Sequence, residues 1–271
     1  MGLTVFGTIG YWAFYFPNTE RTRTIRHMEM IFGRTWDTRR IRKTAQQVYV
    51  NLGKNLFDAL WLSQATNRRF FEIVHYDSFY EIQREYERGN GIVIITAHIG
   101  CFEMLLQLFG RMGLASFAIG QEIYDKRIDR IISNARRGKN IDYMHRKENP
   151  REIIRRLRMG MIFGVLIDQD TRVESIHAPF LGKPANTPSG PIKLAMRFNI
   201  PAFVATTARQ PDDTHHVSIS PKLDLHTGGS DDLLRNVTTA NDIISMAIRR
   251  NPEQWVWMHR RWKRRPQREC E

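Results

Sequence analysis

Two side chains set the chemistry this chain could perform. They are His98 and Glu103, in the stretch Gly91-Ile-Val-Ile-Ile-Thr-Ala-His-Ile-Gly-Cys-Phe-Glu103. The unbroken apolar run from Ile92 to Ala97 has the character of a strand buried on both faces. It is followed at once by a histidine, a glycine and an apolar segment of helical character, Phe102 to Phe109. An imidazole at the carboxyl end of a buried strand stands where open α/β sheets hold their ligands. A carboxylate five residues on could orient that imidazole and stabilise its charged form once it has taken a proton. The combination reads as a general base for deprotonating a hydroxyl. The alternative is a half-buried histidine ending a strand, with Glu103 an exposed helix residue.

The spacing constrains the geometry. Five residues of ideal helix turn through about 500°, so the two side chains would not share a helix face. They can meet only if His98 sits in the strand–helix turn and looks back over the first helical turn. The flanking sequence supplies such elements. Strands are expected at 92–97, 115–119, 162–167, 202–207 and 216–220. Helices are expected at 102–112, 125–137, 151–158, 188–198 and 235–249. This alternation predicts an α/β fold with a mostly parallel central sheet flanked by helices. Residues 19–90 read as a helical N-terminal region, with Val48, Leu52, Leu56, Ala59 and Leu60 near a 3.6-residue period. The expected division is an anchor at 1–18, the helical region at 19–90, a catalytic domain at 91–265 and a tail at 266–271.

The anchor is uncharged from Met1 to Pro17 and rich in aromatics near its end, at Tyr11, Trp12, Tyr15 and Phe16. As a helix it would span roughly 25 Å, a little short of the hydrocarbon core of a bilayer. Arg21, Arg23 and Arg26 follow. The segment therefore reads as a membrane anchor, spanning marginally or lying in the interface, and if it spans, the arginines leave the rest of the chain in the cytoplasm. A buried N-terminal helix is the alternative. The 271 residues carry a formal net charge of +13, with 42% hydrophobic and 25% charged residues. Disorder is excluded, and anionic partners are favoured: a bilayer, an anionic substrate or nucleic acid. No zinc-finger spacing, aromatic–glycine RNA signature or heptad zipper supports nucleic acid. The two cysteines, Cys101 and Cys270, have no metal-ligand or redox spacing. Cys101 reads as a small core residue, since no second histidine with an orienting partner accompanies it.

Three other segments bear chemistry. Asp168-Gln169-Asp170 ends a second apolar strand. The paired aspartates invite Mg²⁺, but no phosphate loop accompanies them and no metal is expected. Phe180 to Pro191 reads as a turn-rich loop in which Thr187 or Ser189 could cap the next helix and Lys183 could meet a phosphate. Near the end, Trp255, Trp257 and Trp262 are mixed with Arg260, Arg261 and Lys263. That mixture could form a membrane-facing edge or a stacking platform.

In this order, the segments resemble the bacterial lipid A late acyltransferases of the lauroyl/myristoyl type, within the glycerolipid acyltransferase superfamily. The His-four-residues-acid signature is met by His98 and Glu103, and the family's Asp-His/Gln-Asp segment by Asp168-Gln169-Asp170. Phe180-Leu181-Gly182, Thr187 and Gly190-Pro191 match a further stretch, and residues 252–263 match the family's Pro-Glu-Gln-Trp ending. The resemblance implies transfer of a fatty acyl group from an acyl carrier protein or coenzyme A thioester to a hydroxyl of a glucosamine-based lipid, with no cofactor. It implies the cytoplasmic face of the bacterial inner membrane as the place, and acyl carrier protein, an anionic glycolipid and the membrane, but no nucleic acid, as partners. His98 would take the hydroxyl proton, Glu103 would orient it, and the alkoxide would attack the thioester directly. Asp129 and Arg136, with Asp168, Asp170, Lys183 and Thr187, would hold the substrate. Many members have an arginine where this chain reads Gly120-Gln121-Glu122. The alternatives are an acyltransferase of the same superfamily with a different lipid acceptor, and a non-catalytic basic protein that binds membrane or nucleic acid.

Overall fold

The computed structural model describes residues 1–16, 19–62, 64–120, 140–145 and 150–264. The chain opens with α1 (Gly2–Tyr15), α2 (Thr19–Phe32), α3 (Thr38–Leu62) and α4 (Asn67–Ile73). Next come β1 (Val74–Tyr76), α5 (Tyr80–Glu87), β2 (Ile92–Thr96), α6 (Glu103–Arg111), β3 (Ser116–Gly120) and β4 (Ile141–His145). Then follow α7 (Pro150–Arg158), β5 (Ile162–Leu166), β6 (Ser175–Phe180), β7 (Lys183–Pro188) and α8 (Gly190–Phe198). The last are β8 (Ala202–Arg209), β9 (His215–Ile219), α9 (Asp232–Arg250) and a short 3₁₀ turn (Pro252–Gln254). The chain divides into two compact units, each discontinuous in sequence.

The sheet unit comprises Phe57–Leu166 and Leu194–Asp224. Among the described residues its strands form one seven-stranded sheet in the order β1-β9-β8-β2-β5-β3-β4. Pairing is parallel throughout except between β8 and β9. Five strands thus share one direction, and β9 with β1 runs against them, which is the mostly parallel α/β sheet expected. β2 lies near the centre, between β8 and β5, and all five of its residues are buried. This is why Ile92 to Thr96 lacks the polar alternation of a half-exposed strand. α6 places Met104, Leu105, Leu108 and Phe109 in a core with Ile94, Phe203, Phe70 and Phe79. Each such side chain contributes roughly 1.5–3 kcal/mol by leaving water. Phe102, just before α6, is half-buried.

Two strands of this sheet escape the sequence pattern. β1 interrupts the region expected to be helical. It has only three residues, and it is a strand because β9 offers it an edge, with Val74 opposite His215 and Tyr76 opposite Val217. β4 pairs with β3 along the other edge.

The helical unit comprises Met1–Leu56, Ile167–Lys193 and the chain from Leu225. Within it, the segment expected as a loop forms an antiparallel hairpin, β6 with β7. Pro179 lies opposite Pro184, and prolines mask a strand in a sequence because they withhold a ladder donor. In a two-stranded ribbon that loss is tolerable. The turn is Leu181-Gly182, with φ of 53° and 79°, the positive pair that a tight two-residue hairpin requires. α1 packs on α3 through backbone. A β-carbon at Gly10 would lie 2.1 Å from the Tyr49 carbonyl oxygen, and one at Gly53 would lie 2.1 Å from that of Phe6. Gly7, Gly10 and Phe14 therefore face inward, while Val5, Ile9, Trp12 and Phe16, at helical spacing, lie exposed.

Candidate active site

His98 stands in the turn between β2 and α6, and Glu103 is the first residue of α6. A carboxylate there also meets the positive end of the helix dipole. The imidazole of His98 is partly exposed, and its ring packs edge-on against Phe102, centroid to centroid 4.9 Å. It therefore lies against the residue just before the helix.

The turn is pinned from β8. The Thr207 hydroxyl donates to the Ile99 carbonyl at 2.8 Å. The next residue, Gly100, has φ +58°. A β-carbon on it would come within 2.3 Å of the Thr207 carbonyl oxygen and 2.6 Å of its hydroxyl. Only glycine fits, because both the dihedral and the space exclude a side chain.

Two residues beyond Thr207 on the same strand lies Arg209, which is buried. Side chains alternate along a strand, so Phe203, Ala205, Thr207 and Arg209 share a face. Phe203 and Ala205 pack in the core that contains Cys101 and Met104. Arg209 forms an ion pair with Asp58 of α3, and His215 of β9 lies 3.1 Å from the same carboxylate oxygen. Arg209 also approaches Asp213 at 3.4 Å. Burial lowers the His215 pKa, with Asp58 opposing, so the ring is neutral at pH 7. Burial pushes the Cys101 thiol well above its usual range, and the charges of Asp58 and Glu103 push it further. Such a thiol is a poor nucleophile, in line with its reading as a core residue.

Asp58, Thr207, Arg209 and His215 were absent from the sequence reading. One signal was available for Asp58. It falls on the buried stripe of α3 that includes Ile41, Ala45, Val48, Asn51 and Leu62, and a lone carboxylate at such a position has to find a partner.

Among the residues expected to hold substrate, Asp129 and Arg136 lie outside the described residues. The others belong to the helical unit. Asp168 is wholly buried and accepts the indole N–H of Trp255 at 2.7 Å. The Thr187 hydroxyl, also wholly buried, receives Arg261 at 2.7 Å and Asn241 at 3.2 Å. Asp170 accepts from Asn186 at 2.9 Å and pairs with Arg264 at 2.8 Å. Lys183 is exposed at the start of β7. Trp255 and Trp257 are wholly buried and packed edge to face, 4.8 Å apart. These two are core residues of the helical unit, and they cannot serve as the stacking platform or membrane edge that their sequence suggested.

Residues 2–264 match the model of the family described as bacterial lipid A biosynthesis acyltransferase. The chain is similar to the lipid A biosynthesis palmitoleoyltransferase of Escherichia coli (strain K12), with 26% identity over 204 residues. That alignment covers 73% of this chain and 63% of the relative. The lipid A biosynthesis acyltransferase of Shigella flexneri matches to the same extent. The match thus spans less than two thirds of the length of these relatives.

Proposed function

This chain belongs to the bacterial lipid A biosynthesis acyltransferase family, and from that membership we propose that it transfers a fatty acyl group from a carrier thioester to a hydroxyl of a lipid A precursor. The observation that carries the reading is the partly exposed His98, in a glycine turn at the end of the central strand, with Glu103 opening the next helix. In this scheme His98 takes the proton of the acceptor hydroxyl, and Glu103 orients the ring and stabilises the imidazolium. The resulting alkoxide attacks the thioester carbonyl. The tetrahedral intermediate collapses with cleavage of the C–S bond, and the leaving thiolate takes the proton back from His98. The donor is acyl carrier protein or coenzyme A thioester, and no acyl-enzyme forms. Asp168 and Thr187, wholly enclosed, act through the residues they hold, whereas Lys183 and the Asp129–Arg136 segment meet the anionic headgroup. The test is incubation of the detergent-solubilised protein with radiolabelled acyl carrier protein thioesters and a panel of lipid acceptors. Product is expected with a tetraacylated lipid A precursor. Product with other glycolipids or phospholipids only would move the assignment to another acceptor.

The site of action in this reading is the cytoplasmic face of the inner membrane. No helix among the described residues is long and apolar enough to cross a membrane. α1 instead presents Val5, Ile9 and Trp12 outward, with Phe16 exposed just after it, and its 14 residues span about 21 Å. Such a stripe suits a helix lying in the interface, and exposed Arg26, Arg34, Arg39, Arg40 and Arg42 on α2, α3 and the turn between them suit anionic lipid. The double change Ile9→Glu and Trp12→Glu is therefore expected to release the protein from anionic vesicles in a flotation assay, with its thermal melt unchanged. Retention on the vesicles would reject α1 as the membrane face.

A further inference from the structure

The buried polar groups behind the His98 turn have no part in the scheme above, and a buried ion pair is weak evidence of a stabilising role. A guanidinium, a carboxylate and an imidazole drawn from three elements are removed from water, and apolar residues of similar size would commonly be no less stable there. Their placement suggests another use. Arg209 and Thr207 are neighbours on one face of β8. Arg209 is tied to Asp58 of α3, and through that carboxylate to His215 of β9. Thr207 meets the turn at two adjacent points: its hydroxyl donates to the Ile99 carbonyl, and its own carbonyl occupies the space that a side chain on Gly100 would need. Those points lie between His98 and Glu103 in the chain. The relative position of the two reacting-centre side chains thus depends on where the end of β8 sits, and the Arg209–Asp58 pair fixes that end.

We propose that Thr207 is a positioning residue for the His98–Glu103 pair, and that the Asp58–Arg209–His215 cluster is the clamp that holds Thr207 in place. This inference rests on the acyltransferase reading for its kinetic consequences, though not for its geometry. A displaced base costs rate rather than substrate binding, since misplacement by about 1 Å can lower turnover by up to about 100-fold.

Thr207→Val keeps the β-branched shape and removes only the hydroxyl. Thr207→Ser keeps the hydroxyl and loses a methyl. For Thr207→Val, kcat is expected to fall at least 10-fold per folded enzyme, with KM for donor and acceptor within about twofold of wild type. Thr207→Ser should recover kcat to within about threefold. A lowered melting temperature in Thr207→Val with unchanged kcat would reduce Thr207 to a packing role and overturn the proposal. The second measurement is independent of turnover. In protein labelled with ¹³C-histidine, the His98 Cε1–H resonance, assigned by its loss in His98→Ala, should shift in Thr207→Val and return in Thr207→Ser. A resonance unmoved by Thr207→Val would overturn the proposal as well. Absence of turnover in wild type, by contrast, would count against the acyltransferase reading alone, and the resonance would still decide the positioning role.

Discussion

His98→Ala is expected to lower acyl transfer by about 10³-fold while leaving the fold intact. A positioned general base contributes roughly 10²–10⁴ in rate. His98 is partly exposed at the start of a turn whose backbone is pinned by the Thr207 hydroxyl on the Ile99 carbonyl. Loss of the ring therefore removes the base and leaves the turn in place. Glu103→Ala should cost less, on the order of 10²-fold, because an unoriented and unstabilised imidazole still accepts a proton. The same mutants should retain the wild-type circular dichroism spectrum and thermal midpoint within a few degrees. A His98→Ala enzyme with more than a tenth of wild-type activity would remove His98 from the role of base.

The largest expected effect on stability lies in the other unit. Arg261→Leu should lower the urea midpoint of the protein steeply. Arg261 is wholly buried, donates to the Asn186 carbonyl and to the Thr187 hydroxyl, and lies over the Phe180 ring at 4.4 Å. Burial lowers its pKa to about 10, while the charges of Asp168 and Asp170 oppose the shift. The guanidinium is thus charged at pH 7, and it balances the carboxylates of the segment just after β5. Removing one partner of such a buried network costs about 3–5 kcal/mol, a large share of the 5–15 kcal/mol that a domain usually holds. Arg261→Lys keeps the charge but loses the planar fork, so it should fold and melt several degrees lower. Urea midpoints of the two variants test this, and a midpoint for Arg261→Leu equal to wild type would contradict it.

The sequence disclosed those parts of the molecule that rest on local pattern. β2 is an apolar run between glycines, and the strand–turn–helix around His98 follows from residues 91–109 alone. α3, α9 and the strands β3, β5, β8 and β9 likewise carry their own periodicity. The parts that escaped depend on distant partners. β1 is a strand only because β9 lies beside it, and the β6–β7 hairpin is hidden by its prolines. The cluster of Asp58, Arg209 and His215 joins residues up to 157 positions apart, and no window of sequence contains it. The tryptophans and arginines near residue 260 misled for another reason. Their composition suits a surface, yet Trp255, Trp257 and Arg261 are wholly buried, because Asp168, Thr187 and backbone carbonyls accept the two indole N–H groups and the terminal guanidinium nitrogens.

Direct acyl transfer with His98 as base can be followed by mass spectrometry of a single quenched reaction. Acyl carrier protein thioester, a tetraacylated lipid A precursor and a stoichiometric amount of enzyme would be mixed and stopped in acid at short times. The expected result is a lipid heavier by one acyl group, one carrier thiol freed per lipid formed, and enzyme at its unmodified mass at every time point, with both products lost in His98→Ala. An acyl group found on the protein before product appears, or product formation undiminished in His98→Ala, would contradict it.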